Sequence, residues 1–545
     1  MYRGFRNFVL ENFPFLENDF DAMTDYELFC KMIEYVIEVN KGNENLQKQI
    51  DELKEEIENI DIQDEVDAKL DEMATDGTLE NLINQEIFGD LNSAISHNAD
   101  DISSLEKFNQ YTNQPLMYGK LNLPSDFSHY NFDLIRKNDG SIDDNLDLSI
   151  YDTNNKLYVD RDNGNDTSGT GASDAPFKTI KAALNAITSL SGNNWKIICK
   201  TYRFFRNEFI NETQANEEYT MYKNIVIEPY DSNETILVTT AQETLSWTND
   251  GNNVYHATRS AVNKVYDMTE KDVYGVYKVV PKVETLTDCQ NTVNTYYISG
   301  STIYIHTKGG EPSNSTYIIN LALSTGQFNI RGNLWLHLKN IDFYVSGAMS
   351  FHNGSSSYEN TLICENVGIY GCGDNNGFSI NNIKNVYLIN CKTGYNLRDG
   401  FNYHFTQMPS TDVSKSIVYE KNSMSFENGI NDTNTNNNCS TIHNGANIIR
   451  VNNIYKNSRG PVVADIESSK SLIIHCNVTQ ENNYNAFVFE DATGETGDGR
   501  AYIIDSSSLQ QNTLSIVGTN DFVVKLKNFH GNYENTNLNI SLYNE

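Results

Sequence analysis

Apolar positions near the start of the chain follow a heptad pattern. From Leu46 they recur at spacings of four and three residues, and a second series follows after a break near Gly77. The two series are Leu46, Ile50, Leu53, Ile57 and Ile60, then Leu91, Ile95, Asn98, Ile102 and Leu105. A polar residue on such a seam, here Asn98, fixes register or strand number. We predict an oligomeric coiled coil over residues 46–108, because each stripe is too narrow to bury a lone helix. A solvated helical hairpin within one chain is the alternative.

The segments on either side of the heptads have a different character. Residues 1–45 mix aromatic and acidic positions and are predicted to form a short helical docking segment. Residues 109–150 show no clear periodicity and are predicted to form a loop-rich neck.

From Leu157 the pattern changes to a short strand, a turn region rich in Gly, Asp and Ser, and an amphipathic helix over residues 179–191. Thr179 is its expected N-cap. One face of this helix carries the apolar residues Ile180, Ala183, Leu184, Ile187 and Leu190. An apolar helix face of this kind suits the open end of a stacked β-structure, whose first turn has no neighbour beneath it.

The later half of the chain contains a loose repeat. Strand-like runs end at an Asn or Asp at intervals of 26, 24, 32, 31, 24, 28 and 23 residues. These positions are Asn340, Asn366, Asn390, Asn422, Asn453, Asn477, Asp505 and Asn528. Such intervals predict the coils of a β-solenoid with insertions at its turns. The spacing is lost over about residues 241–324, which predicts a β-rich insertion. This insertion is either an accessory sugar-binding surface or a small unit with its own aromatic core.

Composition narrows the choice of partners. The formal net charge is -33 and the pI is about 4.6, which argues against nucleic-acid binding because clustered Lys and Arg are needed to neutralise phosphates. The N-terminus has no secretory signal pattern and no apolar run approaches membrane-spanning length, so we expect synthesis in a cytosol and no membrane insertion. Eight cysteines without CxxC pairs are expected to be free thiols.

The strand, Gly-rich turn and helix of residues 157–191 resemble the start of the pectate-lyase-like family of right-handed parallel β-helices. With heptads ahead of such a domain, the whole chain resembles a tail spike or tail appendage of a phage that infects Gram-positive bacteria. The resemblance implies a mainly β fold with an N-terminal α-helical segment and a β-helix over residues 151–545. We expect the part from Leu157 onward to fold without the first hundred residues. The resemblance also implies a homotrimer on the virion, held to tail, collar or baseplate proteins by residues 1–45 and acting at the host cell surface on glycan or wall teichoic acid.

The richest polar region spans residues 396–465. Gly400, Gly429 and Gly460 follow three of the repeating asparagines by 10, 7 and 7 residues, which predicts that they stack at one corner. Neighbouring coils lie ~4.8 Å apart, which suits the carboxylate separations of about 5–5.5 Å or about 6.5–9.5 Å that glycosidases use. The predicted catalytic residues are Asp399, Glu427, His443, His404 and Asp465, and the predicted substrate-binding residues are Arg459, Asn402, Tyr403, Asn428 and Arg398.

Each of these residues also has a structural explanation. Asn and Asp side chains at coil corners commonly form hydrogen bonds with the backbone of the turn. His404 has the alternative of a hydrogen bond within its own coil. Arg459 has the alternative of an ion pair with Asp465. No cofactor is required by the proposed chemistry. Asp399 together with a histidine has donors suited to a divalent cation such as Ca²⁺ or Mg²⁺.

The sequence leaves two principal functions open. The first is a hydrolase that cleaves surface polysaccharide or teichoic acid, and the second is a non-catalytic adhesin of the same fold. A lyase is a weaker third candidate, because few basic residues lie near the predicted carboxylates. The acidic chain also repels the phosphates of teichoic acid unless a cation or an arginine intervenes.

Overall fold

The computed structural model describes residues 119–542 apart from 210–216, 240–244, 314, 322–325, 331, 346–348, 353–358, 374, 407, 409–412, 431–434, 483, 491–497, 511–515, 520–521 and 532–538. These residues belong to the compact unit Tyr111–Glu545. The predicted docking segment and coiled coil lie outside the described residues and stay predictions. Within the described part, no helix is long and apolar enough to cross a membrane.

Most of the described chain is built from three sheets of parallel strands, so the prediction of a mainly β chain is confirmed. Between Asn194 and Thr519 the chain passes repeatedly through the three sheets, and each such passage is called a coil. Every strand after the first in a sheet pairs in parallel with the strand of the preceding coil. Sheet 1 contains Lys156–Val159, Asn194–Cys199, Asn224–Pro229, the first halves of Trp335–Tyr344 and Thr361–Tyr370, Asn385–Ile389, Ile417–Lys421, Asn447–Val451, Lys470–Ile474, Arg500–Ile504, Val523–Lys527 and Asn539–Leu542.

Sheets 2 and 3 complete each coil. Sheet 2 contains Arg203–Phe205, Ile236–Thr239, the second halves of Trp335–Tyr344 and Thr361–Tyr370, Lys392–Gly394, Met424–Asn428, Ile454–Ser458, Asn477–Gln480 and Ser507–Gln510. Sheet 3 contains Glu217–Met221, Gly326–Ile330, Met349–His352, Phe378–Asn381, Phe401–His404, Ser440–Ile442, Val463–Ile466, Phe487–Glu490 and Ile516–Thr519.

A left-handed residue turns the chain from sheet 1 to sheet 2 in successive coils. Six of the eight repeating Asn and Asp positions occupy this bend with φ between 48° and 54°: Asn340, Asn366, Asn390, Asn422, Asp505 and Asn528. In the other two coils the bend falls at Asn452 and His475, one and two residues before the predicted Asn453 and Asn477. Asn tolerates this conformation best among residues with a side chain, which explains the repeat.

The predicted amphipathic helix, here α1, spans Ile180–Ser189 and begins at the expected N-cap, because Thr179 Oγ1 accepts a hydrogen bond from the Ala182 amide at 3.1 Å. The other short helices are Arg206–Phe209 and Leu286–Asn291, with 3₁₀ turns at Ser125–Phe127 and Ser149–Tyr151. The seven described cysteines are buried and free, which confirms the prediction for that part of the chain.

The predicted neck contains more structure than its lack of periodicity indicates. Gly119–Lys120, Leu134–Arg136 and Ile142–Asp144 form an antiparallel sheet that packs on the outer face of sheet 1. Apolar residues of the two parts share one cluster, which includes Phe127 and Phe132 from the neck and Tyr419 from sheet 1. The hydroxyl of Tyr130 donates to the carbonyl of Val418 at 3.1 Å.

The insertion lies on the outer face of sheet 2. One antiparallel sheet contains Thr248–Gly251, Val254–Thr258, Thr302–His306 and Thr295–Ser299, and the other contains Tyr277–Val279, Val262–Lys271 and Tyr317–Leu321. The insertion has an apolar core of its own that buries Tyr296. It reaches sheet 2 through Tyr274, whose ring stacks on Phe426 at 4.0 Å between centroids.

Candidate functional site

A cleft of about 380 Å³ lies on the outer face of sheet 3, across four successive coils. Strand alternation turns Tyr403 into the interior and its neighbours Asn402 and His404 outward. The cleft is lined by Asp399, Asn402, His404, Asn436, Asn438, Thr441, His443, Pro461, Ala464, Ile466, Val488 and Glu490. Asp399, Asn402, His404 and His443 were predicted to belong to the site, and the structure brings these four together.

Asp399 lies just before the strand Phe401–His404, and both of its carboxylate oxygens accept hydrogen bonds. Oδ1 accepts from the Asn438 amide at 2.7 Å, and Oδ2 accepts from Asn402 Nδ2 at 2.6 Å. Burial raises the pKa of Asp399 to about 6, although these two hydrogen bonds oppose the shift. The carboxyl group therefore exchanges its proton close to neutral pH.

Asn402 provides the clearest unsatisfied group in the cleft. Its side chain is 2% exposed, and its amide nitrogen donates to Asp399. Its carbonyl oxygen Oδ1 is buried and has no hydrogen-bond partner among the residues that the structure describes. A buried carbonyl without a donor costs free energy, so this atom is suited to accept a hydrogen bond from a ligand.

Two histidines stack beside Asn402. The rings of His404 and His443 lie 4.1 Å apart between centroids at an angle of 17°. Burial and, to a smaller extent, the neighbouring His404 lower the pKa of His443 to about 3. Burial likewise lowers the pKa of His404, opposed by Glu467. Both imidazoles are therefore neutral at pH 7, and His443 Nε2 lies 3.2 Å from the Thr441 hydroxyl.

Four of the other lining residues are apolar, and no Lys or Arg is found among the described residues of the lining. Pro461, Ala464, Ile466 and Val488 continue the surface towards Glu490, the second carboxylate among the described lining residues. Strand register places Glu490 three coils beyond His404, a distance of ~14 Å across the sheet. Asp399 and Glu490 are therefore too far apart for the paired carboxylates of a glycosidase.

Glu427 does not join Asp399, which corrects the predicted acid/base pair. Its side chain lies under the insertion, where Oε1 accepts from the Tyr274 hydroxyl at 2.7 Å and from Asn457 Nδ2 at 2.9 Å. Its neighbour Asn428 is fully buried and bonds to Asn396 at 2.9 Å. The predicted stacking of Gly400 and Gly429 at one corner was wrong because the connections from sheet 2 to sheet 3 differ in length. Six residues precede the sheet 3 strand that begins at Phe401, whereas eleven precede the one that begins at Ser440.

Asp465 and Tyr403 point into the interior and are therefore not part of an accessible site. Asp465 is 0% exposed and receives two hydrogen bonds from the equally buried Arg450, both at 2.8 Å. The Tyr403 hydroxyl donates to Glu420 at 2.8 Å, also in the interior. The sequence pattern could not show that these two polar residues point inward, because polar residues are ordinarily assigned to the surface of a strand.

The two predicted arginines also lie outside the cleft lining. Arg459 follows sheet 2, and its Nη1 donates to the Ile430 carbonyl at 3.3 Å rather than to Asp465. Arg398 is exposed and precedes Asp399. The sequence did not predict the lining residues Asn436, Asn438, Thr441, Pro461, Ala464, Ile466 and Val488. Thr441 was detectable in principle, since it pairs with Asn402 once the register is known.

Among the described residues, no group of three or more His, Cys, Asp and Glu side chains is arranged to hold a metal ion. A divalent cation at Asp399 stays a prediction.

Comparison with known proteins gives weak structural likenesses. No family model matches the chain, and no curated protein matches its sequence significantly. A structure described as a glycoside hydrolase is 9% identical, with a TM-score of 0.38 over 71% of this chain and 96% of its own. Pectate lyase Pel9A is 15% identical, with a TM-score of 0.30 over 69% and 80% of the two chains. The tailspike gp61 of Pseudomonas phage phi297 is 12% identical, with a TM-score of 0.20 over 64% and 65%.

Proposed function

We propose that residues 151–545 form a right-handed parallel β-helix whose cleft on sheet 3 binds glycan at the surface of a host bacterium. The protein is then a homotrimeric tail spike or receptor-binding appendage of a virion, made in the host cytoplasm and attached through its N-terminal segment. The observation that carries the proposal is the unpartnered Asn402 Oδ1 in a cleft of hydrogen-bonding side chains. Sugar hydroxyls supply the donor that this atom lacks.

The charges of the cleft favour an uncharged glycan over wall teichoic acid. The described lining contains two carboxylates, two neutral imidazoles and no Lys or Arg. The whole chain carries a formal charge of -33. Both features repel a polymer of phosphodiesters, whereas the apolar surface of Ala464, Ile466 and Val488 suits the less polar faces of sugar rings.

Hydrolysis is the second candidate function, and the raised pKa of Asp399 favours it. A carboxyl group with a pKa of about 6 retains enough protonated form near neutral pH to act as a general acid. Asp399 then donates its proton to the glycosidic oxygen while that oxygen leaves the sugar carbon. Water adds to this carbon and loses a proton to a base, for which the neutral His404 is a candidate among the described residues of the cleft.

The test uses two substitutions in the full chain. Asn402→Leu removes the unpartnered acceptor at nearly constant volume, and we expect binding to host cell walls to weaken about tenfold, as for one lost hydrogen bond in a buried site. Asn477→Leu, on the exposed side of sheet 2, is the matched control and should bind as wild type. Equal binding by Asn402→Leu and wild type would refute the cleft as the glycan site.

Asp399→Asn separates the two functions, because it removes the titrating proton at constant size. Loss of polymer release with retained wall binding supports hydrolysis, with an expected decrease in rate of about 10²–10⁴-fold. If wild type binds the walls but releases no polymer from them, the protein is a non-catalytic adhesin. Stronger binding to purified teichoic acid than to wall polysaccharide would contradict the assignment to an uncharged glycan.

A further inference from the structure

A second cavity, of about 480 Å³, lies between the insertion and the turn that follows the sheet 2 strand Lys392–Gly394. The insertion contributes Asn263, Lys264, Val279, Val280, Pro281, Lys282, Glu284 and Tyr296, and the coils contribute Cys372, Gly373, Tyr395, Asn396 and Leu397. The sheet 3 cleft begins two residues after Leu397, at Asp399. The two cavities differ in charge, because this one contains lysines.

Lys264 is the lysine that faces this cavity from the strand Val262–Lys271. Its ammonium group donates to the Tyr395 carbonyl at 2.6 Å and lies 5.7 Å from the centre of the Tyr395 ring. Within the described part of the chain it has no carboxylate within ion-pair distance. Two other insertion lysines do have such partners, since Lys278 pairs with Glu270 at 3.1 Å and Lys308 with Asp267 at 2.7 Å.

Tyr395 is held in an unfavourable backbone conformation beside this ammonium group. Its φ is 59°, in the left-handed region that aromatic residues rarely adopt. Two contacts from the insertion keep it there: the Lys264 ammonium at its carbonyl, and the Asp272 carboxylate, which accepts from its hydroxyl at 2.6 Å. Strain of this kind, held by several neighbours, is commonly found at binding sites.

We propose that this cavity binds the carboxylate of an acidic, monosaccharide-sized ligand, with Lys264 as the charge partner. Its volume lies within the range of small-molecule sites, roughly 300–1,000 Å³. An ammonium group has three donors, and the described residues accept a hydrogen bond from one of them. The exposed Lys282 is a second positive charge in the described lining, which contains one carboxylate, that of Glu284.

The proposal goes beyond the uncharged glycan assigned to the sheet 3 cleft, and it concerns different residues. Burial without a carboxylate partner lowers the pKa of Lys264 to about 8. A bound carboxylate stabilises the charged ammonium and raises this pKa again, so binding near pH 8 is accompanied by proton uptake. The other titratable groups that face the cavity are Lys282, Glu284, Tyr296, Cys372 and Tyr395.

The test is calorimetric titration of the full chain with glucuronate, and with glucose as the uncharged counterpart. We expect glucuronate to bind wild type, to bind Lys264→Met at least tenfold more weakly, and to lose affinity as the pH rises above 8. Lys278→Met removes an exposed insertion lysine outside the cavity and should leave binding unchanged. Glucose should not bind at this site. Titration with a polymer that contains uronic acid distinguishes two sources of the carboxylate. If the natural ligand is a uronic acid within a glycan, the polymer should bind more tightly than free glucuronate. If it is a free acid, the polymer should bind no more tightly.

Chemical labelling of wild type provides a test that does not depend on the folding of a variant. Cyanate modifies unprotonated amines, so Lys264 should react ahead of ordinary lysines at pH 8, and glucuronate should protect it selectively in peptide mass spectra. Equal glucuronate affinity in wild type and Lys264→Met, no glucuronate binding by wild type, or no protection of Lys264 would each overturn the proposal. Wall binding through Asn402 is unaffected by any of these outcomes.

Discussion

At the residue scale, the cleft depends on side chains whose properties are set by their neighbours. Asp399 is an ordinary aspartate in sequence, and its raised pKa results from burial at the start of a sheet 3 strand. Asn402 is distinguished from the many other asparagines by a carbonyl oxygen that the fold leaves unpaired. A sequence pattern identifies residue types at suitable positions, but burial and pairing depend on the packing of residues that are distant in sequence.

The pKa of Asp399 predicts a pH dependence of stability. The carboxyl group binds its proton more tightly in the folded chain, at a pKa of about 6, than in the unfolded chain, at about 3.9. The unfolded chain therefore ionises first as pH rises, and the free energy of unfolding falls between about pH 4 and pH 6, by on the order of 3 kcal/mol. Asp399→Asn should lack this decrease.

The measurement compares melting temperatures of wild type and Asp399→Asn from pH 4 to pH 7.5. Asp498→Asn is the control, because Asp498 is an exposed carboxylate that pairs with Lys470. Parallel curves for wild type and Asp399→Asn would show that Asp399 titrates as in an unfolded chain.

At the scale of elements, polar side chains inside the coils connect sheet 1 to sheet 3. Arg450 of sheet 1 forms a fully buried pair with Asp465 of sheet 3, and it also donates to Ser440 Oγ at 3.1 Å. Glu420 of sheet 1 accepts from Tyr403 and Ser440 of sheet 3 at 2.8 Å each. These contacts specify which strands face one another across the interior.

The buried charges predict a large asymmetry between single and combined substitutions. Asp465→Ala removes two hydrogen bonds to Arg450 and one of the two buried carboxylates that stabilise its charge, so we expect the free energy of unfolding to fall by about 3–5 kcal/mol. Arg450→Met combined with Asp465→Leu and Glu420→Gln removes all three buried charges at similar volume and should recover most of that loss. Thermal or denaturant unfolding checks the ranking, and wall binding should persist in the folded triple variant. A triple variant less stable than Asp465→Ala would contradict this account.

The elements were predictable to different degrees. Helix α1 and the bend from sheet 1 to sheet 2 followed from local chemistry, because an N-cap threonine and left-handed asparagines have preferences that act over a few residues. The bend after sheet 2 was not predictable in this way, since Tyr395 and Glu427 adopt positive φ there despite an unfavourable residue type. Packing of the insertion against sheet 2 holds them, and that packing is not visible in a local pattern.

At the scale of the whole described unit, two segments cover the outer faces of two sheets. The neck packs on sheet 1 and the insertion packs on sheet 2. The neck therefore acts as part of the β-domain, although its sequence has no periodicity. Arg136 in the neck forms a salt bridge with Asp505, more than three hundred residues later.

This packing changes the expected boundary of a minimal folded fragment. A chain that begins at Leu157 exposes the apolar outer face of sheet 1, including Tyr387, Tyr419 and Ile449. We expect it to aggregate or to be degraded, whereas a chain that begins at Gly119 should be soluble and resistant to protease. Expression of both fragments, followed by limited proteolysis and light scattering, makes the comparison. Equal solubility and protease resistance would show that the neck is dispensable.

The connections between sheets bear on how proteins of this type diversify. Two residues join sheet 1 to sheet 2 in each coil from Asn385 to Gln510, whereas four to eleven residues join sheet 2 to sheet 3 over the same region. Asp399, Asn436, Asn438 and Pro461 all come from these longer connections. Insertions and deletions can therefore accumulate there without disturbing strand register. Descendants of one ancestral chain can acquire new ligand preferences at the cleft by changing loop length, while the stacked coils are inherited intact.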